Sequence, residues 1–415
     1  MPTDNASAPN GVPPLGRAVW IAICGLGLTQ IIGWGSTYYL LTILGPNIAA
    51  DLGLSPQLTS SGLSILLALG GVLGPYSGRM MDMYGARPVM ATGSVIACLG
   101  LIALSLAQGS VGYILGWLVI GCSASMVLYP AAFTALTQAS PASARRAITL
   151  LTLAGGLAST VFWPLSEYLL AIYDWRSVCR IYAGINLLAC LPLHLLVIPG
   201  RSETAKLEEA HGASAPPGLP DAARARAFLL LASVLALNGL LVTGVLNQFL
   251  VLMTSLGQSA SNAVFFGMVF GLAQVSARLA DMLFGTRYDA LKAGVAVTAG
   301  FTLAVMALMA GGASPAAGLA FAAFFGISNG VFTIVRGTLV LALFGVKGYG
   351  EQLGTITVAQ GLAGATAPVL LSLVLSHWGG GGALVFCGSV ALLALVAMSA
   401  LFRHASRAMA ATRTD

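Results

Sequence analysis

Charge is what this chain has least of. Of its 415 residues 8% are Asp, Glu, Lys or Arg, against 57% hydrophobic, and so little polar surface cannot enclose a water-soluble fold of this size. The six cysteines, Cys24, Cys98, Cys122, Cys179, Cys190 and Cys387, stand singly with no C-x-x-C pair. That spacing supports neither a disulfide framework nor a metal site, and small packing residues are the better reading. A phosphate-binding glycine loop, a metal-ligand cluster and a catalytic triad are all missing, so no cofactor, no ATP and no enzymatic step is expected. The four histidines (His194, His211, His377, His404) fall at the ends of apolar stretches, in the central polar segment or in the tail. The opening MPTDNASAPNGVPPLG has no basic start followed by a short apolar core, so no cleaved signal is expected and residues 1–17 read as a cytosolic tail.

Long apolar runs are what the chain has in abundance. Stretches of membrane-crossing length recur at 18–46, 58–78, 88–107, 111–136, 147–172 and 177–198, then at 227–252, 261–283, 293–310, 315–342, 352–376 and 383–402. They are continuously apolar, whereas barrel strands alternate, and an unbroken helix satisfies its own backbone in lipid. The expected fold is therefore an all-α membrane protein of twelve transmembrane helices. An even count puts both termini on one side, and fifteen of the nineteen Lys and Arg residues, from Arg17 to Arg413, then share that side. It is expected to be cytoplasmic, in a multi-pass inner-membrane protein. The net charge of +6 follows from topology, and no nucleic-acid partner is implied. Arg176 and Arg180 lie near the other face, while Arg278 and Arg336 lie inside spans.

The longest polar stretch, GRSETAKLEEAHGASAPPGLPDAARARA, reads as a solvated linker over 199–226. It separates a six-helix bundle at 18–198 from a second at 227–403, followed by a cytoplasmic tail at 404–415. The two resemble each other at a steady offset of 204 positions: LGLS at Leu52 with LGQS at Leu256, YGA at Tyr84 with YDA at Tyr288, Pro164 with Pro368. GRMMDM and ARLADM match only at an offset of 199. The steadier repeat sets Arg278 opposite Gly74, about 12 Å of helix inside the membrane from the polar loop.

Between the second and third spans stands GRMMDMYGAR, with Gly78, Asp82, Gly85 and Arg87 in the spacing G-x-x-x-D-x-x-G-x-R. This resembles the loop motif of the major facilitator superfamily, and the likeness covers nearly the whole chain. The family usually carries a basic residue after the aspartate; here it is Met83. The resemblance implies parallel six-helix halves around a central cavity, alternating access, and a cytoplasmic latch formed by Asp82 and Arg87 that favours the outward-open state. The span-four arginine of many proton-coupled members is missing around Trp117 and Gly121. FWPLSE stands where drug/proton antiporters carry G-P-x-x-G-G, which argues against a typical drug antiporter.

A guanidinium at mid-span costs about 2.5–3.5 kcal/mol on insertion scales, so Arg278 and Arg336 need a partner or a task. Arg278 could pair with Asp281 one turn on, or serve as an anion receptor, since guanidinium matches a carboxylate with two parallel hydrogen bonds. An arginine at this place in span eight is similar to the anion-binding arginine of the monocarboxylate porters and the oxalate:formate exchanger. The porters carry an aspartate four residues earlier, where this chain has Gln274. The exchanger adds a lysine in span eleven, which here offers Thr355, Thr357 and Gln360, so Arg336 stands as the second positive charge. Trp34 and Tyr38 share one face of span one and form either a cavity wall or ordinary helix packing. Asn238 matches Trp34 by the repeat; Tyr129, Asn329 and Gln360 are further candidates that could equally tie helices together. Asp281 and Glu167 are candidates for coupling or gating.

The expectation is a secondary transporter, monomeric in its bilayer, for a small organic anion such as a carboxylate, by symport or antiport with protons or a counter-anion. The alternative on the same fold is an exporter of neutral or cationic molecules that uses Asp281 and Glu167. A transporter-like sensor is a third reading, which the short tails disfavour.

Overall fold

The computed structural model describes residues 15–200, 218–284 and 289–411, and every described element is helical or a connecting turn. The first part of the chain forms α1 (Arg17–Ser36), α2 (Leu40–Leu52), α3 (Pro56–Val72), α4 (Gly74–Tyr84), α5 (Ala86–Ser105), α6 (Ser110–Val127), α7 (Tyr129–Ala139), α8 (Ala144–Gly155), α9 (Ala158–Leu170), α10 (Trp175–Ile185) and α11 (Leu191–Val197). The second part forms α12 (Asp221–Ser255), α13 (Ala260–Phe284), α14 (Ala290–Gly311), α15 (Pro315–Phe344) and α16 (Tyr349–Ala411). Most of the expected linker lies outside the described residues, and α12 starts at Asp221, ahead of the expected boundary at Ala227.

Among the described residues ten helical runs are long and apolar enough to cross a membrane, or eleven when α3 and α4, bent by 47°, count as one. The last run, 62 residues from Tyr349 to Ala410, would measure about 93 Å if it were straight, roughly three times a bilayer core. It breaks at Gly379, whose φ of 63° a side chain would resist. The eleventh and twelfth expected spans thus meet at a kink with hardly a loop between them.

Local chemistry sets the helix ends. Ser55 caps α3 through Leu58 N at 3.2 Å with Pro56 at the first helical position, and Asp174 caps α10 through Ser177 N at 2.8 Å. Outward faces carry large apolar side chains, among them Leu188 (77% exposed), Leu196 (79%) and Leu272 (70%). Such a surface suits acyl chains and would aggregate in water.

At one end the two parts of the chain close on each other. α3 and α4 pack along the start of α16, while α8 packs against α13 and α15. Glycines make the first contact possible: Gly74 lies against Gly354, and Gly78 against Gly350, so tightly that a Cβ on Gly78 would overlap the Gly350 carbonyl. This is small-residue packing of the kind that membrane helices use where no hydrophobic force draws them together.

Candidate functional site

The closed end is fastened by Asp82. Its two carboxylate oxygens accept from Gly350 N at 3.1 Å and Glu351 N at 2.8 Å, the first amides of α16. A carboxylate is well placed there, because those amides have no partner within their own helix and carry the positive end of its dipole. Gly85, with φ 86°, turns the chain from α4 into α5. Arg87 donates from Nε to Ile198 O at 2.6 Å, at the end of α11 within the same part of the chain. Gln138, which sequence reasoning passed over, holds the loop from both sides: its Nε2 donates to Met81 O at 3.1 Å and its Oε1 accepts from Ala86 N at 3.1 Å. No composition or spacing signal marked it.

Arg278 lies in this contact, 4% exposed. Its Nη1 donates to Thr152 O on α8 at 3.1 Å, its Nη2 to Thr333 Oγ1 on α15 at 3.4 Å, and its Nε to Gly330 O at 3.4 Å. All three acceptors are neutral. The guanidinium passes over Gly156, where a Cβ would collide with Nη1. Asp281 does not neutralise it; that carboxylate accepts from Thr149 Oγ1 at 3.0 Å, again across to α8. Among the described residues Arg278 has no ion pair, so the structural pairing of Arg278 with Asp281 is not formed. One turn along α13, Gln274 Oε1 accepts from Asn329 Nδ2 at 2.8 Å, which joins α13 to α15 beside the arginine.

Arg336 is in a different position. Its guanidinium carbon sits 5.4 Å from the Tyr129 ring centroid and 5.8 Å from that of Phe133, and it has no hydrogen bond or ion pair to any described residue. Cation–π attraction supports the charge but leaves its N–H donors unused. Tyr129 lies within the electrostatic reach of both Arg278 and Arg336. From Tyr129 the aromatic row continues to Trp34 (5.1 Å between centroids), Tyr38 (5.3 Å), Tyr39 (5.1 Å) and Trp163 (6.2 Å). Trp34 Nε1 donates to Gln30 Oε1 at 3.3 Å, and Gln30 in turn anchors α1 to Val127 O at 2.7 Å. The helices thus bring two guanidiniums to one side and a run of aromatic faces to the other. This arrangement can hold a negatively charged group beside an apolar or π-rich body.

Three expected site residues stand apart. Asn238 is fully buried, with its Nδ2 donating to Val234 O of its own helix at 2.8 Å. The neighbouring Gly239 packs on Gln360, whose Oε1 is buried without a partner, as is Asn238 Oδ1. These two amides belong to the α12–α16 contact. Glu167 is exposed on α9. Thr152, Thr333, Gly156 and Phe133 complete the arginine surroundings. Sequence alone marked Gly156 only as a close-packing or hinge glycine and the other three not at all, because a backbone acceptor, a hydroxyl and a ring face carry no charge pattern.

The family model of the Major Facilitator Superfamily matches residues 26–309. An MFS-type transporter of Gibberella moniliformis is 26% identical over 92% of this chain and 88% of its own length. Monocarboxylate transporter 11 of Mus musculus is 26% identical over 86% of this chain and 81% of its own. Multidrug resistance protein MdtH of Aeromonas hydrophila is 28% identical over 45% of this chain and 41% of its own. Among solved structures the human organic anion transporter MFSD10 (TETRAN) superposes with a TM-score of 0.68 at 18% identity, over 93% of this chain and 100% of its own, which shows a shared fold.

Proposed function

This chain belongs to the major facilitator superfamily and is a membrane transporter, not an enzyme, and from that premise we propose that it carries a small organic anion, a carboxylate, by alternating access. The observation that carries this reading is the Arg336 guanidinium, half-buried against the Tyr129 and Phe133 rings with no acceptor among the described residues. A charge kept in that state at a cost of kilocalories is held ready for a ligand. Arg278 supplies the second contact. A carboxylate binds guanidinium about twice as strongly as a neutral carbonyl does, so an arriving anion competes with Thr152 O for Nη1. The ligand thereby loosens the bond between α13 and α8, which links occupancy to opening of the closed end. Trp34, Tyr38 and Tyr129 bound the rest of the pocket, with Gln274 and Asn329 at its edge.

On this reading α3 with α4 is one span and α16 is two, which makes twelve crossings in two bundles of six, at 18–198 and 227–403. Both termini and the Asp82 loop face the cytoplasm, across the inner membrane, and the closed end makes the state outward-facing. The protein acts as a monomer, and coupling comes from protons or a counter-anion. The monocarboxylate relative supports the substrate class. The multidrug relative supports the other reading, export of neutral or cationic compounds.

Uptake of radiolabelled mono- and dicarboxylates into proteoliposomes tests the proposal. Arg278→Gln and Arg336→Gln should each abolish it while leaving the protein folded. Normal carboxylate uptake by both variants, or competition by cations in place of carboxylates, would overturn the anion site.

A further inference from the structure

Away from the two interior arginines, a pocket of ≈ 200 Å³ opens between the start of α12 and the final turns of α16, lined by Arg226, Ala400, Arg403, His404 and Arg407. His404 Nε2 donates to Ala223 O at 3.0 Å and so ties the two helices together at its wall. Arg226, Arg403 and Arg407 have no hydrogen bond or ion pair to any described residue. The carboxylate at hand, Asp221, faces Arg224 Nε at 3.3 Å. Three arginines line one space, and none of the described residues that line it is acidic.

Their setting identifies the ligand. Both arginine-bearing segments run straight into apolar helix. Three residues beyond Arg226, on the same face, α12 exposes Leu229 (66%); seven residues before Arg403, on the same face, α16 exposes Val396 (56%), with Leu393 (57%) beside it. A free phosphate would use the guanidiniums alone, whereas an amphiphile with an anionic head uses both the guanidiniums and the apolar strip that leads away from them. We propose that this pocket binds the phosphodiester headgroup of an anionic phospholipid, with its acyl chains lying along Leu229, Leu393 and Val396. Arginine suits the head because its planar fork meets phosphate oxygens in pairs, and basic pockets between transmembrane helices are known hosts for such headgroups. The lipid fastens the beginning of the second part of the chain to its last helix.

Native mass spectrometry of the purified full chain, titrated with phosphatidylglycerol or phosphatidylcholine, tests this. The wild type should retain phosphatidylglycerol in preference. The double variant Arg403→Gln with Arg407→Gln should lower that retention by about tenfold or more, and Arg226→Gln should lower it independently. A control that loses equal charge elsewhere, Arg17→Gln with Arg146→Gln, should behave as wild type. Equal retention of the two lipids, or an equal loss in the control, would reduce the pocket to general surface electrostatics and overturn the proposal. Displacement of the lipid by inorganic phosphate would overturn the lipid assignment, because it would show that the apolar strip adds nothing.

Discussion

Replacing Asp82 with Asn should open the closed end. The carboxylate accepts from two backbone amides of α16, at 3.1 and 2.8 Å, with one oxygen for each. Asn keeps one acceptor, loses the charge that faces the helix dipole, and turns an amide N–H toward one of the two donors. A hydrogen bond to a charged group contributes about 1.5–3 kcal/mol, against about 0.5–1.5 for a neutral one. Two such bonds exchanged for one neutral bond lose on the order of 1.5–5.5 kcal/mol, which shifts the ratio of closed to open by about tenfold or more. Thr152→Cys, in a chain stripped of its six native cysteines, reports that ratio. Thr152 is fully buried at the contact, and its carbonyl bond to Arg278 survives the substitution because it comes from the backbone. Labelling by a membrane-impermeant maleimide should accelerate in Asp82→Asn by the same factor. An unchanged labelling rate in a folded variant would refute the claim that Asp82 holds the two parts together.

Three further outcomes follow from the same contacts. Gly78→Val should open the same end more strongly than Asp82→Asn, since its Cβ overlaps the Gly350 carbonyl; labelling at Thr152→Cys slower than in Asp82→Asn would contradict this. Gly156→Ala should cut carboxylate uptake, though less than Arg278→Gln does, because the added Cβ pushes Nη1 away from Thr152 O; wild-type uptake would show that the slot is unnecessary. At the opposite end, hydrogen bonds from the Ser177 hydroxyl and backbone N–H hold the Asp174 carboxyl below the usual carboxylate range. Its capping contribution is therefore present above the unfolded pKa of about 3.9 and is lost as pH falls through the lower folded value. The difference in Tm between wild type and Asp174→Ala should shrink below about pH 4, and a difference that stays constant with pH would contradict it.

Much of this architecture is legible in the chain itself, because lipid leaves a helix few alternatives. The 204-residue repeat moves Arg278 from the loop into a span, and in the structure it is a buried residue of α13, in the contact with α8. The repeat held more than depth. It pairs Arg278 with Gly74, and Gly74 packs on Gly354 between the two parts of the chain. Arg278 takes the matching place against Thr152 and Gly156 of α8, so pseudo-symmetry already implied a residue in a closing contact as much as one in a cavity. What spacing could not give is partner choice. Asp281 is three residues from Arg278 yet bonds Thr149, 132 positions away, and Asn238, which the repeat aligns with Trp34, spends its amide N–H on Val234 O of its own helix. Helix ends differ where glycine permits a kink without a loop, as at Gly379.

The anion site is tested most directly by calorimetric binding of a carboxylate and its uncharged amide isostere to wild type and to Arg336→Gln. The wild type should prefer the carboxylate, and the variant should lose that preference through weaker carboxylate binding, by about tenfold or more for a charge-assisted pair. If Arg336→Gln binds the carboxylate as tightly as wild type, the unpaired guanidinium is not the receptor and the account is wrong.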